Sequence, residues 1–94
     1  MIRSFRDRRT AAVYLGQRPK GFPEDIARTA QRKLAQLAAA GRIEERASPP
    51  GNRLEALKGN RGGQWSIRIN VQWRICFIWR EGHAEDVEIT DYHR

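Results

Sequence analysis

Two arginines within a segment of alternating residues are the first candidates for chemistry. From Gln64 to Arg80, apolar residues recur at every second position, which predicts two β-strands with one buried face. A polar interruption around Val71 favours a tight hairpin, and a three-residue loop centred there would place Arg68 opposite Arg74. Like charges directly opposite each other repel on a sheet. An anion such as a phosphate would relieve this repulsion; the alternative is that both arginines are simply solvated.

Other ionisable residues could join these arginines. Lys58 precedes the hairpin, and Asp91, Tyr92 and His93 follow a third predicted strand. A cationic cluster with an imidazole, a phenol and a carboxylate can cleave RNA without a metal. The 2′-hydroxyl attacks the adjacent phosphate when a base takes its proton, and the cations stabilise the charge of the transition state. The alternative for the last three residues is a frayed tail.

The composition limits the class of protein. Lys and Arg number 18 against 11 Asp and Glu, which leaves a charge of +7 on 94 residues and favours a polyanionic partner such as RNA, DNA, a ribosome or an acidic protein. The length suits one domain, residues 1–94. The single Cys76 excludes an internal disulfide, and no spacing suggests a metal site or a cofactor. Without an apolar run of membrane-spanning length or a signal peptide, the chain is expected to be cytoplasmic.

Two helices are predicted before the hairpin. Asp7 can cap a helix that runs to about Leu15, and Pro23 suits the first turn of a second helix that ends near Gly41. Apolar residues recur at helical spacing along the second helix. Three cations lie off this apolar stripe and are expected on a solvated face: Arg28, Arg32 and Lys33.

The order of elements predicts an α+β fold. The segment Ala84–Asp91 reads as a third strand, residues 53–58 as a short strand or turn, and Met1–Phe5 as a weak edge strand. We expect an antiparallel sheet with the two N-terminal helices packed on its odd-numbered face. The even-numbered face would then carry Arg68 and Arg74.

Four blocks in the second half of the chain resemble a known family. NRLEALKG (Asn52–Gly59), WSIRIN (Trp65–Asn70), QWRICFIW (Gln72–Trp79) and DVEITDYH (Asp86–His93) are similar in order and spacing to the HigB toxins of the RelE/ParE superfamily. These toxins belong to bacterial type II toxin–antitoxin systems. The resemblance implies the RelE-like α+β fold and metal-independent cleavage of mRNA in the ribosomal A site. It also implies inhibition by a helix-turn-helix HigA antitoxin, with which the toxin would bind operator DNA.

The same resemblance suggests roles for individual residues. The expected catalytic residues, for phosphate charge and for proton transfer, are Lys58, Arg74, Asp91, Tyr92 and His93. Arg68 lies in a matching block and is expected to bind substrate, and the loop residues Arg53 and Arg61 are further substrate-binding candidates.

One departure from the family keeps other functions open. Some members have a histidine three residues before the loop lysine, where this chain has Glu55. An acidic residue there would repel a nearby phosphate and weaken activity, unless it points away. The alternatives are a gyrase poison, as in the ParE branch, and a weakly active or non-enzymatic toxin that acts mainly within a DNA-binding repressor complex.

Overall fold

A computed structural model of the chain describes residues 1–47 and 50–91. Within them, two helices precede a four-stranded antiparallel sheet with strand order β1-β2-β3-β4. The elements are α1 Arg8–Tyr14, α2 Glu24–Ala39, β1 Glu55–Ala56, β2 Trp65–Arg68, β3 Trp73–Arg80 and β4 His83–Asp91. Short 3₁₀ turns occupy Ile43–Ala47, Pro50–Asn52 and Gly59–Arg61. The expected α+β architecture is therefore confirmed. None of the helices in the described ranges is long and apolar enough to cross a membrane.

Both helices begin where the sequence predicts. The side chain of Asp7 accepts a hydrogen bond of 2.7 Å from the backbone N–H of Thr10, which satisfies one of the free donors at the start of α1. Pro23 precedes α2, and Glu24 and Asp25 lie in its first turn, where the positive end of the helix dipole favours carboxylates.

The hairpin has the predicted register. Arg68 pairs directly with Arg74, and Ile67 pairs with Ile75. The Ile69 N–H donates to the Trp73 carbonyl at 2.9 Å, which closes a loop of three residues. The predicted position of the two arginines on one face of the sheet is thus confirmed by the pairing.

The core lies on the odd-numbered face of the hairpin, as expected. Ile67, Ile75 and Phe77 are fully buried there. The helices and β4 contribute the rest of this cluster, which comprises Val13, Ala30, Leu34, Leu37, Ala84, Val87 and Ile89. Burying these side chains against one side of the sheet is the main favourable contribution to folding.

A bulge in β4 explains why its buried residues do not alternate strictly. Asp86 and Val87 together lie opposite the single residue Phe77, and Asp86 has a φ of 51°. Because of this extra residue, Ala84 and Val87 both reach the core, although one number is even and the other odd. The period-two pattern of the sequence could not show this shift.

Lys33 corrects one expectation. Its side chain was expected on a solvated helix face, but it is buried with 8% exposure, and its amine donates a hydrogen bond to Asn52 Oδ1. The expectation failed because α2 is covered on a second side by the 3₁₀ turn at Pro50–Asn52, which no helical periodicity could reveal.

The N-terminal segment pairs with the outer edge of β4. Ile2 and Phe5 form isolated parallel bridges to Ala84 and Val87. Four backbone hydrogen bonds of 2.7–3.1 Å connect residues 1–6 to this edge. Thr10 covers the same edge of β4 further along, since its hydroxyl oxygen accepts a hydrogen bond of 3.0 Å from the Ile89 N–H.

We predict that Thr10→Val destabilises the protein by about 1–3 kcal/mol, because it leaves the buried Ile89 N–H without its acceptor. Urea denaturation measures this change, and amide hydrogen exchange at Ile89 should accelerate. Thr10→Ser is the matched control, since it keeps the hydroxyl and loses only a methyl group. Slow exchange at Ile89 in Thr10→Val would contradict the assigned role of the hydroxyl.

Candidate functional site

Two arginines lie opposite each other at the hairpin end of the even-numbered face, and the backbone of a third contacts one of them. Arg68 on β2 lies directly opposite Arg74 on β3. Nη2 of Arg74 donates a hydrogen bond of 2.8 Å to the backbone carbonyl of Arg53, which precedes β1. We call Arg53, Arg68 and Arg74 the arginine cluster. Thr90 of β4 pairs with Arg74 on its other side and so borders the cluster.

Two carboxylates of this face, Glu85 and Glu88, are paired with arginines outside the cluster. Glu85 forms ion pairs with Arg3 and Arg80, at 3.2 and 3.0 Å. Glu88 forms ion pairs with Arg6 and Arg61, at 3.9 and 3.2 Å. Among residues 1–47 and 50–91, by contrast, Arg53 and Arg68 take part in no ion pair. The hairpin end of the face is therefore a concentrated positive site, the arrangement that attracts an anion.

The middle of the face is closed. Ser66 and Cys76 pair across β2 and β3 and are fully buried. The even-numbered face is therefore covered at this row and is not open along its whole length. Arg61 bridges Gln64 and Glu88 across the same face.

Burial raises the pKa of the Cys76 thiol, with Arg61 acting in the opposite direction. The thiol therefore stays protonated at neutral pH, as expected of a packed cysteine.

Arg61 and Lys58 lie apart from the cluster. Arg61 was predicted to bind substrate, and the structure holds its guanidinium against Glu88 at 3.2 Å. Lys58, the predicted catalytic lysine, is exposed at the start of the 3₁₀ turn, beyond the opposite end of β1 from Arg53. Of the predicted cations, the structure thus pairs Arg68 with Arg74 and brings the backbone of Arg53 into contact with Arg74.

Asp91 lies at the same end of the sheet as the cluster but pairs with Trp73, one residue from Arg74. Its carboxylate accepts a hydrogen bond of 2.9 Å from Gln72 Nε2. This contact ties the end of β4 to the hairpin loop. The two remaining predicted residues, Tyr92 and His93, lie outside the described ranges.

Glu55 lies in the row next to the cluster. It pairs with Ser66, and Ser66 shares the even-numbered face with Arg68 and Arg74. The register therefore places Glu55 on the arginine side of the sheet, which disfavours the interpretation that it points away.

Two contributors to the site were missed by sequence reasoning. Thr90 could have been found from the pairing of β3 with β4, since its partner is Arg74. The carbonyl of Arg53 has no sequence signal, because the residue adopts a φ of 46° that places it outside the regular strand. Among the described residues, no group of three or more His, Cys, Asp or Glu side chains could hold a metal ion.

A solved structure shares the fold of this chain. The structure resembles one chain of the YoeB–YefM complex from Staphylococcus aureus, with a TM-score of 0.62, 16% identity, and coverage of 100% of this chain and 99% of that chain. At this identity the likeness establishes the shared fold, two helices on one face of an antiparallel sheet.

Sequence comparisons establish the family. The family model described as "RelE-like toxin of type II toxin-antitoxin system HigB" matches residues 3–93. The chain is 43% identical over 68 residues to Toxin HigB-1 of Vibrio cholerae, covering 72% of each chain. It is 33% identical over 94 residues to Endoribonuclease HigB of Proteus vulgaris, covering 99% of this chain and 100% of that protein. The chain belongs to the HigB-like family of RelE-like type II toxins.

We predict that Arg68→Gln raises the free energy of unfolding by about 0.2–1 kcal/mol at low ionic strength, because it removes the charge opposite Arg74. The gain should shrink as salt screens the repulsion. Lys20→Gln, on the exposed connector between the helices, is the control for losing one positive charge. Urea denaturation at two salt concentrations measures both variants, and equal gains in the two would show that the cross-strand repulsion contributes nothing.

Proposed function

We propose that the protein is a ribosome-dependent, metal-independent mRNA endonuclease that inhibits translation. The arginine cluster carries this proposal, because it places Arg68 directly opposite Arg74, while Glu85 and Glu88 of the same face are paired with other arginines. The name of the Proteus vulgaris relative, Endoribonuclease HigB, supports RNA as the substrate.

The proposed chemistry is intramolecular transfer at phosphorus. The RNA 2′-hydroxyl attacks the adjacent phosphate, a protein base takes its proton, and the 5′-oxygen leaves with a proton from an acid. The pentacoordinate transition state carries more negative charge on its oxygens than the substrate does. Prepositioned guanidinium groups stabilise this charge most strongly, since they need not reorganise during the reaction.

Arg74 is the proposed principal contact to this charge. A guanidinium has five N–H donors in a planar fork, so it can hold a carbonyl and a phosphate at once. Its hydrogen bond to the Arg53 carbonyl fixes the plane of the fork. Arg53 and Arg68 would bind the neighbouring phosphates of the mRNA, and Lys58 and Arg61 would line the approach to the site.

Proton transfer is assigned to the C-terminal residues. We propose Tyr92 and His93 as the acid and base candidates, by their resemblance to the family. Asp91 would orient the end of β4 that leads to them, through its hydrogen bond with Gln72. The 2′-hydroxyl is the nucleophile in this scheme, so the site would be specific for RNA.

The proposed partners follow from the family. They are a HigA-type helix-turn-helix antitoxin, a cytoplasmic ribosome with mRNA in its A site, and operator DNA bound through the antitoxin complex. The resemblance of the fold to a toxin that has been solved together with an antitoxin supports the first of these.

We predict that Arg74→Ala lowers mRNA cleavage by about 10²–10³-fold, the usual loss when a preorganised charge-stabilising donor is removed. The test is the rate of cleavage of mRNA on purified ribosomes, together with mapping of mRNA 5′ ends after induction. Arg80→Ala is the matched control, because Arg80 is on the same strand and pairs with Glu85 far from the cluster. It should cleave within about twofold of the wild type.

Other outcomes would select other functions. Intact mRNA with DNA damage and arrested replication would favour a gyrase poison. Intact mRNA with normal growth, together with salt-dependent operator binding through the antitoxin, would favour a non-enzymatic member of a repressor complex. Full cleavage by Arg74→Ala would overturn the assignment of Arg74.

A further inference from the structure

A buried lysine contacts the residue that precedes Arg53 of the arginine cluster. The Lys33 amine, on α2, donates a hydrogen bond to Asn52 Oδ1, and the side chain is only 8% exposed. No carboxylate forms an ion pair with it among the described residues. Burial, assisted by the charges of Arg32 and Arg46, lowers the pKa of the Lys33 ammonium. An apolar residue of similar volume would fill this position at less cost in desolvation, so packing alone does not account for the lysine.

Asn52 connects this lysine to the segment that carries Arg53. The asparagine is fully buried, and its Nδ2 donates a hydrogen bond of 3.2 Å to the carbonyl of Arg46. Contacts to α2 and to the turn at Ile43–Ala47 therefore hold the residue that directly precedes Arg53.

The backbone of Arg53 has an uncommon conformation. Its φ is 46°, a left-handed value that costs energy for any residue other than glycine and persists only where the surroundings enforce it. Its N–H donates to the Pro50 carbonyl at 3.1 Å, which closes the turn containing Asn52. In this conformation the carbonyl of Arg53 accepts the hydrogen bond from Arg74 Nη2.

We propose that Lys33 and Asn52 are positioning residues for Arg74, acting through the backbone carbonyl of Arg53. The contacts run from the Lys33 amine to the Asn52 side chain, along the chain to the Arg53 carbonyl, and from there to the guanidinium. The proposal rests on the function proposed above, in which Arg74 stabilises charge at the scissile phosphate. A misplacement of about 1 Å at such a group can lower a rate about 10²-fold.

The test uses Lys33→Met, which keeps an unbranched chain of four atoms and removes the terminal amine that donates. We expect the single-turnover cleavage rate at saturating ribosomes to fall about 10- to 100-fold, with the half-saturating ribosome concentration unchanged. The melting temperature is measured in parallel and rates are compared where both proteins are folded, because the buried Asn52 Oδ1 loses the Lys33 donor. Lys20→Met, which removes one exposed charge, is the control and should keep the rate.

A double-mutant cycle separates positioning from general stability. In an Arg74→Ala background, Lys33→Met should have no further effect on the cleavage rate, because the group that it positions is absent. A merely structural lysine would lower the rate by the same factor in both backgrounds, and that result would overturn the proposal. Asn52→Ser, whose side chain is too short to reach the amine, provides the second variant if Lys33→Met does not fold.

A spectroscopic measurement does not depend on the proposed function. In nitrogen-15 NMR spectra, the hydrogen-bonded guanidinium of Arg74 should show slow rotation about its C–N bonds in the wild type and faster rotation in Lys33→Met. If the wild type does not cleave mRNA, the proposed function fails while this signal still tests the contact. If the wild type cleaves and Lys33→Met cleaves equally fast, or leaves the Arg74 signal unchanged, the positioning role is wrong.

Discussion

The direct pairing of two arginines across the hairpin depends on the packing of apolar side chains on the opposite face of the sheet. Arg68 and Arg74 repel each other, and the register that opposes them is set by the buried pairs of the other face, including Ile67 with Ile75. A slip of one residue would turn the arginines into the core, at far greater cost than their repulsion. Packing of the core therefore holds the positive charges together in the absence of any ligand, which is the preorganisation that charge stabilisation requires.

Much of this arrangement was predictable from the sequence. Alternation along the hairpin defined the buried face, and the polar residues around Val71 located the loop, so that the opposition of Arg68 and Arg74 followed. The helix starts at Asp7 and Pro23 were also predictable, because capping depends on local residue types. The family blocks added the candidate site residues, among which the structure brings Arg53 to the predicted pair.

The rest depended on contacts between segments distant in sequence. The parallel pairing of Ile2 and Phe5 with β4, the burial of Lys33 beneath a turn 19 residues later, and the bulge at Asp86 all arise from tertiary packing. The ion pair between Arg61 and Glu88, 27 residues apart, is of the same kind. A charged residue in a sequence gives no sign of whether its partner is solvent, a carboxylate on a neighbouring strand or a substrate.

The N-terminal segment has a consequence for the protein in isolation. It serves as the chain's own complementary strand along β4, and the N-terminal ammonium also donates to the Ala40 carbonyl. The other edge of the described sheet is β1, only two residues long. A long unpaired edge invites pairing with another copy, so this covering disfavours self-association along β4. Displacing residues 2–5 would uncover this edge of β4.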